Sequence, residues 1–598
     1  ISLGGNQIVN GGASVTSASL FSGGTQTLIS GATVALTTVN SGAVQSVGNA
    51  ASATSTTLSG GTQTVSGGRV TGTTIYNAGL ENILSGGVAN ATIISSGGIE
   101  NISAGGSAIF ATVSSGGLQN VLSSGVASGT TLSAGTQNVS SGGSAINTIV
   151  RNQGNQIING GAIVTSASLL SGGTQTLLTN ASVTETTINA GAVQAVGVTA
   201  SATSSILSGG IQNISGGRAL STIIYSAGIE TVVAGGFASA TTISSGGLEN
   251  ISSGGIARDT AISSGGTQNV FTAGIASGAI IRNSGTQNIS GGGSAVSTVI
   301  SSGGIANVSS GGTDRTATIS SGGNQNILAT GVASSATISA GGSQNIASGG
   351  MASSTIVNSG GLQNISSGGE ATSTTVNSAG VLAVSGGGSA TDITQSAGGI
   401  LITNTSATLT GIADGSTNFY ISNNVASNVV LNNSAILTVL SGGSANTTFI
   451  NSGGLQSVSG IDTTATVSTG GVQNIFLGGI ASGATLSGGT QNLSRGSATL
   501  TLISSGGIQN ISSGGVATSA TVSNGGTQNI FTSGIASGAT LSGGTQNLSA
   551  GSATLTLISS GGIQNISSGG LATSTTISSG GNALVFASGI TSNATLVG

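Results

Sequence analysis

Residues Gly97 to Ser115 read GGIENISAGGSAIFATVSS, and this stretch decides the fold. It matches the unit G-G-x-Q-N-I-x-S-G-G-x-A-x-x-A-T-I-S-S, which recurs with small variations along the 598 residues. The leading glycines Gly4, Gly23, Gly42 and Gly60 step by 19, 19 and 18 residues. Gly506, Gly525, Gly543, Gly561 and Gly580 step by 19, 18, 18 and 19. Longer copies overlie the short period, since the text after Gly154 repeats that after Gly5, and the text after Gly543 repeats that after Gly488. The chain therefore grew by tandem duplication.

A unit of this length is too short to bury a core alone and must stack on its neighbours. Gly, Ser, Thr, Asn and β-branched residues oppose helix, and no helical periodicity appears. Four-residue Ile/Val/Thr segments between Gly pairs read as strands joined by tight turns. The expected fold is all-β, a parallel β-helix (β-solenoid) of about 19 residues per coil and roughly 31 coils. Collagen is excluded, because Pro is absent and Gly is not every third residue.

Interior and exterior follow from period two along each strand. The sixth position of the unit is aliphatic in Val47, Val65, Ile83, Ile102, Val121 and Ile511, and is assigned to a core ladder. The twelfth position (Ala89, Ala108) and the seventeenth (Ile94, Val113) join it. The fourth position shares the parity of the sixth and holds Gln26, Gln45, Gln63, Glu81, Glu100 and Gln119. It reads as an inward amide ladder that satisfies itself from coil to coil. The Glu members, with Glu230 and Glu249, imply that this column lies near a corner with some access to water, since an unpaired buried carboxylate is costly. The Asn at position five then faces outward.

Boundaries are expected at 1–400 for one run of repeats, 401–433 for irregular coils or a bend, and 434–598 for a second run. The middle segment has no Gly pair and includes Asp414, Phe419 and Tyr420.

Composition removes most chemistry. Charged residues make up 3% of the chain, with seven Arg, no Lys and eleven acids, and Cys, His, Trp and Pro are absent. No thiolate or imidazole can hold a metal, no nucleophile–imidazole pair can form, and no disulfide exists. The sequence therefore offers no catalytic, cofactor-binding or metal-ligating residues. Seven scattered Arg cannot make a nucleic-acid footprint. No apolar run reaches the roughly 18 residues of a membrane span. A mean hydropathy of +0.38 with so little charge is the reverse of a disordered chain. Ile1 opens the sequence in place of Met, which reads as an internal piece of a longer precursor.

Few charged groups remain as candidates. Arg258–Asp259 and Asp314–Arg315 are adjacent opposite charges, read either as self-association or docking points or as solvated local pairs of little energetic weight. Glu81 and Glu100, like Glu230 and Glu249, share the fourth position of consecutive coils, about 5 Å apart, near the separation of a retaining glycosidase. No aromatic platform accompanies them. Paired threonines such as Thr56–Thr57 and Thr73–Thr74 suggest flat ice-binding arrays, but their column is irregular.

The units around Ser504–Val522 (SSGGIQNISSGGVATSATV) and Gly525–Leu541 (GGTQNIFTSGIASGATL) resemble the passenger repeats of self-associating autotransporter adhesins, the family of the diffuse-adherence adhesin and antigen 43. The likeness covers nearly the whole chain except about 401–433. It implies a right-handed parallel β-helix exported to a Gram-negative surface, attached to the outer membrane in the full-length precursor. It also implies homotypic aggregation, biofilm formation, attachment to host or matrix surfaces, and modification of Ser and Thr by a dedicated glycosyltransferase. Two other readings stay open: a filament or matrix subunit built by end-to-end stacking, and, remotely, a polysaccharide-active β-helix enzyme.

Overall fold

A computed structural model describes residues 1–598, and every regular element in it is a β-strand. Two compact units are present. One comprises Ile1–Val299 with Gly304–Ala306; the other comprises Ile300–Gly303 with Asn307–Gly598. Each is a parallel β-solenoid.

In the first unit, the coil beginning at Gly97 forms three strands, Ile99–Ile102, Ser107–Ile109 and Thr112–Val113. Each lies parallel to its counterpart one repeat later: Ile102 on Val121, Ala108 on Ala127, Val113 on Leu132. β-Branched and small residues suit this geometry, because a strand stacked on near-copies of itself sees the same pleated surface above and below. Burial alternates along the first strand, with Glu100 and Ile102 inside and Ile99 and Asn101 half-buried. Val47, Val65, Ile83, Ile102 and Val121 line the interior, as do the alanines of the twelfth position. In the second unit the same coil appears as Ile508–Ser512, Val516–Thr518 and Thr521–Ser523, with Ile511, Ala517 and Val522 buried.

The two glycines of a pair serve different needs. Gly97 turns the corner at φ +81°, in the left-handed region. Ala78 takes the same corner one coil earlier at φ 61°, so this position favours glycine without demanding it. At Gly98 the constraint is space: a Cβ there would lie 2.5 Å from the carbonyl oxygen of Ile75 in the coil below. The second glycine lets consecutive coils approach to backbone contact.

The stretch 401–433 departs from parallel stacking. Thr408–Ala413 follows Ser389–Gln395 in parallel with a bulge between Ala390 and Ile393. Thr417–Ser422 then runs antiparallel to it, and Val425–Ser427 antiparallel again, before parallel stacking resumes on Ser444–Asn446. Turn chemistry explains the reversals. Asn423–Asn424 take φ values of 52° and 63°, the paired positive values of a two-residue hairpin, and Asp414 and Gly415 take 49° and 75° in the three-residue loop between Ala413 and Thr417. Leu409, Ile421 and Ala426 carry the core through the hairpin. Beside it, Thr403 pairs with Val384 on one side and with Leu437 on the other, a register shift of two residues relative to the repeat. An even shift keeps every side chain on its face.

Replacing Ile511 by Asp should cost at least about 3 kcal/mol, since it leaves an uncompensated charge in a closed aliphatic stack. Thermal unfolding followed by far-ultraviolet circular dichroism should show a lowered transition; a curve superimposable on the parent's would refute the interior assignment.

Candidate functional site

The interior is more polar than an aliphatic core requires. Gln26, Gln45, Gln63 and Gln119 are fully buried, as are Glu81 and Glu100. Their amides form a ladder of one polarity, in which Nε2 of each coil donates to Oε1 of the coil before it. Gln45 donates to Gln26 at 2.6 Å and Gln137 to Gln119 at 2.7 Å. Buried threonines on the neighbouring wall donate to the same oxygens, as Thr130 does to Gln119 at 3.1 Å. Thr56 and Thr73 belong to this inner column, so the paired threonines form no flat outer array.

One-way polarity means that the first Gln of a run lacks an amide below it. Leu437 stacks beneath Gln456, and Asp462 supplies the missing acceptor: Oδ1 takes Gln456 at 2.8 Å and Oδ2 takes Gln473 at 2.8 Å. Asp462 occupies the alanine column, between Ala445 and Ala481. Burial pushes its carboxyl up to about 6, while the two amides pull it down.

Asp314 stands in the same relation to the ladder. The repeat before Gln325 holds Ala306 at position four, and Gln325 donates to Asp314 Oδ2 at 2.7 Å. This corrects the reading of Asp314–Arg315 as a surface pair. Adjacent strand residues point to opposite faces, so Asp314 is buried while Arg315 is exposed. Arg258 and Asp259 are both exposed. Arg258 reaches back over the Phe237 ring, its guanidinium carbon 5.9 Å from the ring centroid, and Asp259 sits at the following corner with φ 55°.

The expectation of water near the Glu members is also corrected. Glu81, Glu100, Glu230 and Glu249 are completely buried. The two acids of each pair stack in register, Glu81 on Glu100 and Glu230 on Glu249, with their carboxyls in hydrogen-bond contact. Gln119 donates to Glu100 at 2.6 Å and Gln268 to Glu249 at 2.7 Å, while Thr92 and Thr241 donate to Glu81 and Glu230 at 3.1 Å. Oε1 of all four meets no protein donor. A protonated Glu has the shape of Gln and continues the ladder with its O–H in place of the amide N–H. Burial raises all four pKa values, and at Glu81 and Glu230 the charge of the neighbouring acid raises them further. Enclosed in this way, neither pair can meet a sugar substrate.

Outside, Asn101 donates to Asn82 at 3.0 Å and Asn120 to Asn101 at 2.9 Å, a half-buried amide row at the repeat spacing. Together these features define a parallel β-solenoid with a self-satisfying polar interior and long, almost uncharged outer rows.

Comparison with known proteins agrees with that class. The family model described as the adhesin of the bacterial autotransporter system, probable stalk, matches residues 327–380 and 410–471. A hyper-glycosylated fragment of TibA, modified by TibC, is 36% identical over 54% of this chain and 99% of its own, with a TM-score of 0.35. The sequence identity carries the relationship, not the superposition. The alginate lyase AlyGC of family PL6 is 10% identical, covering 100% of this chain and 98% of its own, with a TM-score of 0.23, and that likeness carries no argument. No curated protein matches. The chain belongs to the adhesins of the bacterial autotransporter system.

The buried acids give stability a defined pH dependence. Because the folded state holds protons that the unfolded chain releases above a glutamate value of about 4.3, the stabilisation is full below that pH. It falls as pH rises toward the raised folded values. Replacing Glu81, Glu100, Glu230 and Glu249 together by Gln should leave stability near that of the parent at pH 4 and exceed it at pH 8 by at least about 1 kcal/mol per pair, a tenfold change in proton affinity being worth about 1.4 kcal/mol. Thermal unfolding at the two pH values checks this, and parallel profiles for the two proteins would contradict it.

Proposed function

We propose that this adhesin works without catalysis, as an extracellular passenger that associates with copies of itself, and attaches to host or matrix surfaces, through the polar outer rows of its coils. The observation that carries the reading is the outer amide row, in register coil after coil and nearly free of charge. Each outward Asn, Thr or Ser contact between copies contributes at most about 1 kcal/mol, because water competes for the same groups. A rigid row presents many such contacts at one spacing, so strength comes from number.

Membership of the adhesin family supports a place outside the cell, with outer-membrane attachment in the full-length precursor. The glycosylated TibA fragment supports a glycosyltransferase partner acting on Ser and Thr, for which corner residues such as Ser96 and Ser115 are exposed.

Self-association through uncharged rows should be steep in protein concentration and nearly indifferent to salt, even though the Debye length falls from about 10 Å at 0.1 M to about 3 Å at 1 M. Sedimentation velocity of the chain across a concentration series in 0.1 M and 1 M NaCl tests this. Side-by-side pairs should form equally in both. Dissociation at high salt would instead assign binding to the charged residues Arg258, Asp259 and Arg315, and open-ended growth would favour a filament built by end-to-end stacking.

A further inference from the structure

In the first unit two exposed arginines, Arg218 and Arg258, gather around Phe237. Arg218, Phe237 and Ile256 occupy the same strand position in three successive coils, in register. Arg258 lies two residues further along the third of these strands, paired with Ser239. The Arg218 guanidinium carbon is 4.9 Å from the Phe237 ring centroid and that of Arg258 is 5.9 Å. Two of the seven cationic side chains of the chain thus converge on one aromatic ring from the coil before and the coil after. Neither guanidinium has a carboxylate partner. The acids of the neighbouring coils, Glu230 and Glu249, are sealed in the interior, and the exposed Asp259 lies with Oδ1 against Gly278 at the next corner.

From this placement we infer that Arg218, Phe237 and Arg258 form a docking point for an acidic polysaccharide, a chain of hydroxylated rings bearing carboxylate or sulfate groups. The ring holds both guanidiniums in place, so little side-chain freedom is lost when they close on an oxyanion. Their forked N–H donors remain available for that oxyanion, and the planar fork matches carboxylate and sulfate geometry. The surrounding strand positions carry hydroxyls, Ser201, Thr203, Ser239 and Ser277, in register with the cluster, and these suit sugar hydroxyls. The inference deepens the attachment reading by naming a ligand class, and it uses contacts distinct from the uncharged rows proposed for self-association.

The test is titration calorimetry of the full chain with dextran sulfate, polygalacturonate and neutral dextran at 0.05 M and 0.5 M NaCl. Three proteins are compared with the parent: the double variant Arg218→Gln/Arg258→Gln, the single variant Phe237→Leu, and Arg495→Gln, which removes an exposed cation from the second unit. The parent should bind one or both anionic polymers, more weakly at high salt, and should ignore neutral dextran. The double variant should lose at least ten-fold in affinity, Phe237→Leu should fall between, and Arg495→Gln should match the parent. Equal binding by the double variant, equal binding of neutral dextran, or no binding by the parent would each overturn the inference. Sedimentation of the double variant separates the two proposals: unchanged self-association with lost polyanion binding supports a saccharide site, whereas lost self-association would make the cluster a contact between copies and overturn it.

Discussion

The constraint on which the rest depends is the buried amide that must find its acceptor one coil below. A Gln side chain at full burial is tolerable only if its N–H and C=O are both satisfied, and in a stack of near-identical coils the cheapest partner is the same residue in the next one. That requirement locks register, because a slip of one residue would turn the whole ladder out to solvent. It also fixes direction, since every Nε2 points the same way. Aliphatic ladders on either side exclude water but would not by themselves distinguish one register from another of equal parity.

Once polarity is fixed, the exceptions become intelligible. Asp462 and Asp314 stand in the alanine column because a run of amides needs an acceptor where it starts. The stacked Glu pairs suit the same column because a protonated acid has the shape of Gln and burial raises the pKa of all four. Four carboxyls that on composition alone would count as surface charge are therefore withdrawn from the surface, as are Asp314 and Asp462. The outer face is left even less charged than 3% suggests. On the proposed reading its adhesion rests on amides and hydroxyls, with the Arg218–Phe237–Arg258 cluster as a local exception.

The hairpin between Thr408 and Ser427 shows how the stack tolerates an interruption. Asp414–Gly415 and Asn423–Asn424 supply the turn conformations, and Leu409, Ile421 and Ala426 keep the core continuous while the backbone direction reverses. Both dipeptides are legible as turn signals, yet the repeats on either side favour irregular coils over a reversal. The two-residue register shift beside the hairpin has no local signal at all. It depends on which strand happens to stack on Ile400–Asn404.

The sequence by itself determined the solenoid, its repeat and the inner and outer columns, because a period near 19 with strand parity inside it admits one arrangement of aliphatic, amide and Gly positions. It also carried the family, through the identity of the repeat text. Only the tertiary structure decided the state of the charges. Asp314 and Arg315 are neighbours in sequence but face opposite sides of a strand. Glu81 and Glu100 are separated by a full coil yet stack in register inside one buried column, and Arg218, Phe237 and Arg258 meet from three coils. The reason is geometric: parity along one strand can be read from a chain, but the environment of a side chain in a solenoid is set by residues a whole coil away, and those contacts exist only once the coils are stacked.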